Sequence, residues 1–284
     1  MATGTLPPTG LARRERRLSD QETERRMLSA ALAIVSRTGL TVSLDHLSFE
    51  DIIRDADVSR SAVYRRWPYK DLFFSDLVKQ LALDAAPDVA ADELALMKQI
   101  AAAHAGWLET PELRHRLLLD VFRQEALANY QDMCESPGWR TYIALHATFM
   151  SLADGTLREQ VRDALTSCEL ARNGRIAPAW RQLAGLLGYR LRPGSGVTFE
   201  TLATMLTATM RGMVIMSLSA PEVGETRVSA SPFGAASPDE WSLPALGLAG
   251  LAWACLEPDP EAGWDAERVA AARRSLAEWA APDA

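Results

Sequence analysis

Residues Ser48–Asp71 read SFEDIIRDADVSRSAVYRRWPYKD, and their punctuation decides the fold. Ser48 is an N-cap, with Asp51 three residues on to close a capping box. Leu47 before the cap and Ile52 after it form a hydrophobic staple. The spacing predicts a helix over Phe49–Asp55 that buries Ile52, Ile53 and Ala56. Ala56-Asp57 is the turn, and Asp is one of the few non-glycine residues that tolerates a left-handed conformation. Ser59 caps a second helix, stapled by Val58 and Val63. On its wheel Arg60, Ser61, Tyr64 and Arg65 share one face, while Ala62 and Val63 point toward the first helix. Trp67 packs the end and Pro68 stops it. Working outward, Lys70-Asp71 opens a third helix, whose Phe73, Leu77 and Leu81 continue one apolar face. Upstream, Ser19-Asp20-Gln21-Glu22 is another capping box. The helix it opens carries Leu28, Ala31, Leu32 and Val35 at amphipathic spacing and ends at Gly39.

A short helix with polar and cationic residues at its N-terminal end, braced by a second helix, fits the DNA major groove. Arginine reads guanine through two hydrogen bonds, and Ser or Tyr bonds bases or phosphates. An ordinary solvated cationic face is the alternative reading of Arg60, Arg65 and Arg66. The stretch resembles the DNA-binding domain of the tetracycline-repressor (TetR) family of bacterial regulators. Ile52-Ile53 and Ala56 match that family's helix-two core, and Val58-Ser59-Arg60 the start of its recognition helix. Val63-Tyr64, Trp67-Pro68 and Lys70-Asp71 match its apolar-Tyr, aromatic-Pro and Lys-acid positions. The resemblance implies that Ser59, Arg60, Ser61 and Tyr64 lie at the operator. It also implies that Tyr64, Arg65 and Lys70 touch phosphate, with Arg66 in the same cationic group. Three departures stand out: Asp57 where glycine is usual, Tyr69 where a capping Ser or Asn is usual, and an added Leu44-Asp45-His46 bulge.

The 284 residues suit one DNA-binding domain plus one larger helical domain. The net charge of −7 at first argues against nucleic acid. Its distribution reverses that: residues 1–80 hold 13 Lys+Arg against 11 Asp+Glu, and the remainder 17 against 26. The acidic remainder discourages nonspecific adhesion to DNA. Residues 1–18 are expected to form a disordered basic arm, in which Arg13, Arg14, Arg16 and Arg17 reach a minor groove or hold phosphates. The helix-turn-helix domain is placed at 19–85 and a regulatory and dimerisation domain at 92–284. The connecting helix would transmit the signal between them, with a break at Ala86-Pro87-Asp88. Cys134, Cys168 and Cys255 are far apart, which suits a reduced cytoplasmic setting. No apolar signal core opens the chain and no membrane partner is expected.

Beyond residue 92 the chain reads as helices over Glu93–Leu108, Pro111–Leu127, Trp139–Ala153, Thr156–Ala171 and Pro178–Leu187, with a turn at Asn173-Gly174. No sustained period-two alternation appears, so the fold class is all-α with no sheet of consequence. Thr198–Ser219 and Leu243–Leu256 are apolar helices with small residues that permit close approach. The resemblance implies that they pair with their copies in a twofold four-helix bundle, placing Met205, Met213, Met216, Gly247 and Gly250 at a homodimer interface. Packing within a single chain is the alternative. Ala220–Asp239, rich in Ser, Pro, Gly and Ala, reads as a mobile loop, and a last helix spans about Ala266–Trp279.

Catalytic chemistry has no carrier in this sequence. His46, His104, His115 and His146 lack ligand-like spacing, Gly194-Ser195-Gly196 lacks the lysine of a phosphate loop, and no nucleophile elbow occurs. No metal, cofactor or enzymatic activity is expected. The middle helices carry Trp107, Phe122, Trp139, Tyr142 and Phe149, which either make core or line an apolar cavity for a small-molecule effector. Glu125 or His146 would be the orienting polar group there. Two functions follow: a ligand-responsive regulator, most simply a repressor on a palindromic operator, or a helical protein-interaction module with accessory DNA binding.

Overall fold

Ser19 accepts the Glu22 amide and opens helix α1 (Asp20–Thr38), which ends at Gly39 with φ 79°. Its inner stripe is Thr23, Met27, Ala31 and Val35, a spacing of four. Leu28 and Leu32, expected at the core, sit half-buried beside it. Helices α2 (Phe49–Asp55) and α3 (Arg60–Arg66) have the boundaries that their caps predict. Ser48 accepts the Asp51 amide at 3.3 Å and Ser59 accepts the Ala62 amide at 3.3 Å. Asp57 takes φ 50°, the left-handed turn expected of it. Helix α4 (Lys70–Leu83) buries Phe73, Leu77 and Leu81, and Tyr69 gives it no side-chain cap.

The structure, a computed structural model, describes residues 18–40, 44, 47–84 and 89–281, without the side chains of 89–93. The arm with Arg13 and Arg14, Asp45-His46 of the bulge, and the 85–88 break lie outside them.

The fold is all-α, as expected. Helix α5 (Val89–Ala103) stops at His104, whose φ/ψ of −111°/25° interrupts what was expected to be one helix, and a short 3₁₀ turn (Ala105–Leu108) follows. Helices α6 (Pro111–Glu135) and α7 (Pro137–Ser151) come next, α6 longer than its apolar stripe suggested. Helix α8 (Thr156–Leu187) runs 32 residues, which corrects the expected break at Asn173-Gly174. Pro178 removes the amide that would bond the Gly174 carbonyl, yet packing carries the helix through. Asn173 donates to Thr204 at 2.9 Å, and Ile176 and Trp180 are buried.

Two short antiparallel ladders interrupt the helices. Strand β1 (Tyr189–Leu191) pairs with β4 (Leu256–Pro258). After α9 (Phe199–Ser217) and the one-turn α10 (Glu222–Glu225), strand β2 (Arg227–Ala230) pairs with β3 (Asp239–Ser242). The supposed mobile loop is therefore a structured hairpin. Its strands are four residues each, too short for alternation to show before the partner is known. Helix α11 (Leu243–Cys255) packs on α6 and α9, and α12 (Ala266–Ala280) packs on α5 and the 3₁₀ turn, burying Val269, Ala272 and Leu276. Arg273 of α12 fastens that docking by donating to the Ala105 carbonyl at 3.1 Å. Among the described residues no helix is long and apolar enough to cross a membrane.

Candidate nucleic-acid interface

Helix α3 is short, so its rigidity comes from tertiary packing rather than from its own turns. Ala62, Val63 and Trp67 are buried beneath it. Trp67 donates its indole N–H to Asp76 of α4 at 2.9 Å. Its ring meets Phe73 edge-on at 5.1 Å, and Phe73 in turn meets Phe49 at 5.2 Å. Phe49 holds the Tyr64 ring edge-on at 6.0 Å. An aromatic row thus runs from α4 through α2 to the outer face of α3. Burial opposes ionisation of Asp76, but the Lys79 and Trp67 donors outweigh it and hold the carboxyl below its usual range.

Ser59, Arg60, Ser61, Tyr64, Arg65 and Lys70 are all exposed. The Ser59 and Ser61 hydroxyls lie 3.2 Å apart at the leading end of α3. Arg60 is 73% exposed and its guanidinium rests 2.6 Å from Glu50 of α2. Arg65 grips Asp20 of α1 through two nitrogens, at 2.8 and 2.5 Å. Arg66 is turned inward: it pairs with Glu24 at 3.0 Å and Asp76 at 3.4 Å, and lies over the Trp67 ring. Sequence reasoning grouped Arg66 with the exposed cations; the structure makes it a brace between α1, α3 and α4. The Asp20–Arg65 pair also places the start of α1 beside the last turn of α3.

Glu50 competes with any anion for Arg60. Glu50→Gln removes that competitor and one negative charge from the face. An exposed pair is worth about 0.2–1 kcal/mol, so DNA affinity should rise by up to about fivefold in fluorescence anisotropy. An unchanged or weaker affinity would place Arg60 away from the DNA.

Of the five aromatics expected around an effector, Trp139 and Tyr142 meet edge-on at 5.5 Å, but the five do not surround one space. Trp107 is half-buried between His104 and the Arg116 guanidinium, at 4.3 and 4.7 Å. Phe122 stacks on Trp180 at 4.4 Å. Trp139 is fully buried, with the guanidinium groups of Arg172 and Arg211 over its ring at 4.5 and 5.3 Å. Tyr142 donates to Glu169, which Arg211 also holds at 2.5 and 3.0 Å. Burial, and then the Glu169 carboxylate, push the Tyr142 hydroxyl well above its usual range. Phe149 lies half-buried under Arg158. These residues are core and cross-helix clamps; none lines the two cavities, of about 360 and 210 Å³, at the N-terminal half of α6 against the β2–β3 hairpin. Glu125 is buried and accepts from Asn129 at 3.4 Å, and His146 bonds the Tyr142 carbonyl.

Of the expected dimer residues, Met216 is 56% exposed, with Ile215 and Leu218 also exposed. Met205 and Met213 are half-buried. Both glycines have neighbours in their own chain. A side chain at Gly247 would meet Met213 at 3.1 Å, and one at Gly250 would meet Phe233 at 3.6 Å.

No protein-family model matches the chain, and no curated protein matches it. Among solved structures it is similar to SmeT, the repressor of the Stenotrophomonas maltophilia multidrug efflux pump SmeDEF, at 19% identity. That match covers 83% of this chain and 93% of SmeT, with a TM-score of 0.38. A putative TetR-family transcriptional regulator from Mesorhizobium loti is 14% identical over 92% of this chain and 96% of its own, with a TM-score of 0.38. TylP, a TetR regulator from Streptomyces fradiae, is 18% identical over 94% of each chain, with a TM-score of 0.35. Likeness of this order leaves function to be read from the chain's own residues.

Proposed function

We propose that this chain is a DNA-binding transcriptional regulator of the tetracycline-repressor type, acting as a repressor. Two copies present their α3 helices to a palindromic operator, and a small apolar effector releases them. The observation that carries this reading is the α3 face itself. Ser59, Arg60, Ser61 and Tyr64 stand exposed on a helix whose opposite side is locked by Val63 and Trp67. A twofold pair is needed because two half-sites about one DNA turn apart, roughly 34 Å, require isologous copies. The exposed end of α9 with Ile215, Met216 and Leu218 supports the pairing surface.

Helix α4 is the link between the two functions. It carries the Trp67–Asp76 brace at its middle, and near its C-terminal end its Ala82 carbonyl accepts from the Cys168 thiol of α8 at 3.5 Å. Glu169, the next residue, is clamped by α7 and α9. An effector acts only by binding the two tilts of α4 with different affinity. The test is selection of duplex DNA from a random pool, followed by affinity against salt. A regulator enriches a palindrome and shows log affinity falling with log salt at about −0.9 per phosphate neutralised. An unenriched pool with a flat slope leaves the interaction-module reading, which the exposed apolar end of α9 favours.

A further inference from the structure

The hairpin between α9 and α11 turns at Pro232–Gly234, where Phe233 adopts φ 57° and ψ 27°. A bulky residue in the left-handed region is strained, and such strain persists only where the surroundings over-determine it. Here the ring is held among Trp241 at 6.1 Å, Trp253 at 6.2 Å and the bare surface of Gly250. Cavities lie on both sides of this turn. One, of about 360 Å³, is lined by Arg114, Tyr189, Phe233 and Trp253. The other, of about 210 Å³, is lined by Leu119, Ala235, Ala236 and Trp241. They share Glu112, His115 and Gly234.

Carboxylates line these cavities too, Glu112 both and Asp120 and Asp239 the smaller, with Asp120 held by Arg123 at 2.8 Å; the uncharged polar groups are few. Burial pushes the Tyr189 hydroxyl up to about 12, against the Arg114 charge, so it keeps its proton. It shares a hydrogen bond of 2.9 Å with His115 Nδ1. Burial also lowers the His115 pKa, against the pull of the Phe233 carbonyl. His115 Nε2 is buried with no well-formed hydrogen bond. Trp241 is 2% exposed, and its Nε1 is likewise buried without a partner. Native interiors rarely leave such groups unmet. The cations nearby are engaged: Arg114 lies 3.7 Å over Trp264 and donates to the Leu108 carbonyl, and Arg116 lies over Trp107. An anion finds no waiting counter-charge, and a cation, although Glu112, Asp120 and Asp239 stand in the lining, offers no acceptor to the buried Trp241 N–H.

We propose that this paired cavity binds an uncharged, planar aromatic molecule bearing hydrogen-bond acceptors, which packs against Phe233 and Trp253 and accepts from Trp241 Nε1. Binding is independent of DNA; its regulatory effect rests on the regulator reading, which it deepens by naming the effector class.

Calorimetry on the full chain without DNA tests it, with coumarin as the neutral acceptor-bearing probe, naphthalene lacking acceptors and N-methylquinolinium as the cation. Coumarin should bind one to one, at least tenfold tighter than either of the others. Trp241→Phe keeps the ring and removes the N–H. It should weaken coumarin about fivefold, the worth of one hydrogen bond, and leave naphthalene unchanged. Ala236→Trp, which fills the smaller cavity from its rim, should abolish coumarin binding with the circular-dichroism spectrum intact, and it decides the matter if Trp241→Phe does not fold. Absent coumarin binding at millimolar concentration, equal affinity in folded Trp241→Phe, or preference for the cation would overturn the proposal. None of these outcomes touches DNA binding, whose own failure would equally leave the cavity standing.

Discussion

Trp67→Ala should loosen the N-terminal helices by about 3–5 kcal/mol, the range for deleting a buried large aromatic. Trp67 is fully buried and makes three contacts at once. Its ring meets Phe73 of α4, its N–H satisfies Asp76, and the Arg66 guanidinium lies 5.1 Å over it. Alanine leaves a void and strips Asp76 of a donor. The damage should propagate along the row from Phe73 through Phe49 to Tyr64, which sits on the α3 surface. Trp67→Phe retains most of the packing and loses only the indole hydrogen bond, so it should cost about 1 kcal/mol. Hydrogen exchange read on α2–α4 peptides separates this region from the other tryptophans. Trp67→Ala should lose protection there by two to three orders of magnitude, while α9 and α11 stay protected. Equal protection in both variants would mean that α3 is held by something other than this row.

The legibility of α2 and α3 follows from how they are stabilised. Ser48 and Ser59 are caps that act within three residues, Asp57 is a turn residue chosen for its backbone angle, and Pro68 cannot continue a helix. All these signals are local, so the boundaries could be read without knowing any partner. The hairpin β2–β3 is the opposite case. Val228 faces Trp241 across thirteen positions, and nothing in either tetrapeptide announces the other. The helix α8 was misread for a related reason. Asn173, Gly174 and Pro178 are local breakers, but the Asn173–Thr204 bond and the Phe122–Trp180 stack come from distant helices and prevail. The expected effector site shows the same limit. Core or cavity lining were the two readings of Phe122, Trp139 and Tyr142, and all three are buried. Periodicity could not say whether a void remained beside them. The voids lie where residues 111–120 meet 233–241, more than a hundred positions apart, and the unpartnered Trp241 Nε1 becomes visible only once that contact is made.

Arg60→Ala should lower affinity for the selected DNA by roughly ten- to a hundredfold, the about 1–3 kcal/mol that a good bidentate base contact contributes. Arg60 is at the first position of α3, the part of a recognition helix that reaches base edges. Its present partner, Glu50, is an exposed carboxylate that a guanine edge or a phosphate can replace. Which of these it meets is separable. If Arg60 reads a base, Arg60→Lys keeps the charge but loses the planar fork, and discrimination between the selected sequence and a one-base variant collapses toward unity. If it holds a phosphate, Lys restores most of the affinity, and Ala lowers the salt slope by about one without changing sequence preference. Tyr64→Phe gives the internal comparison. The ring stays seated on Phe49, so only the hydroxyl is lost, and the loss should be smaller and uniform across sequences. A folded Arg60→Ala protein that retains both affinity and sequence preference would remove α3 from the groove, and the exposed face of Arg60, Ser61 and Tyr64 would then be no more than a solvated surface.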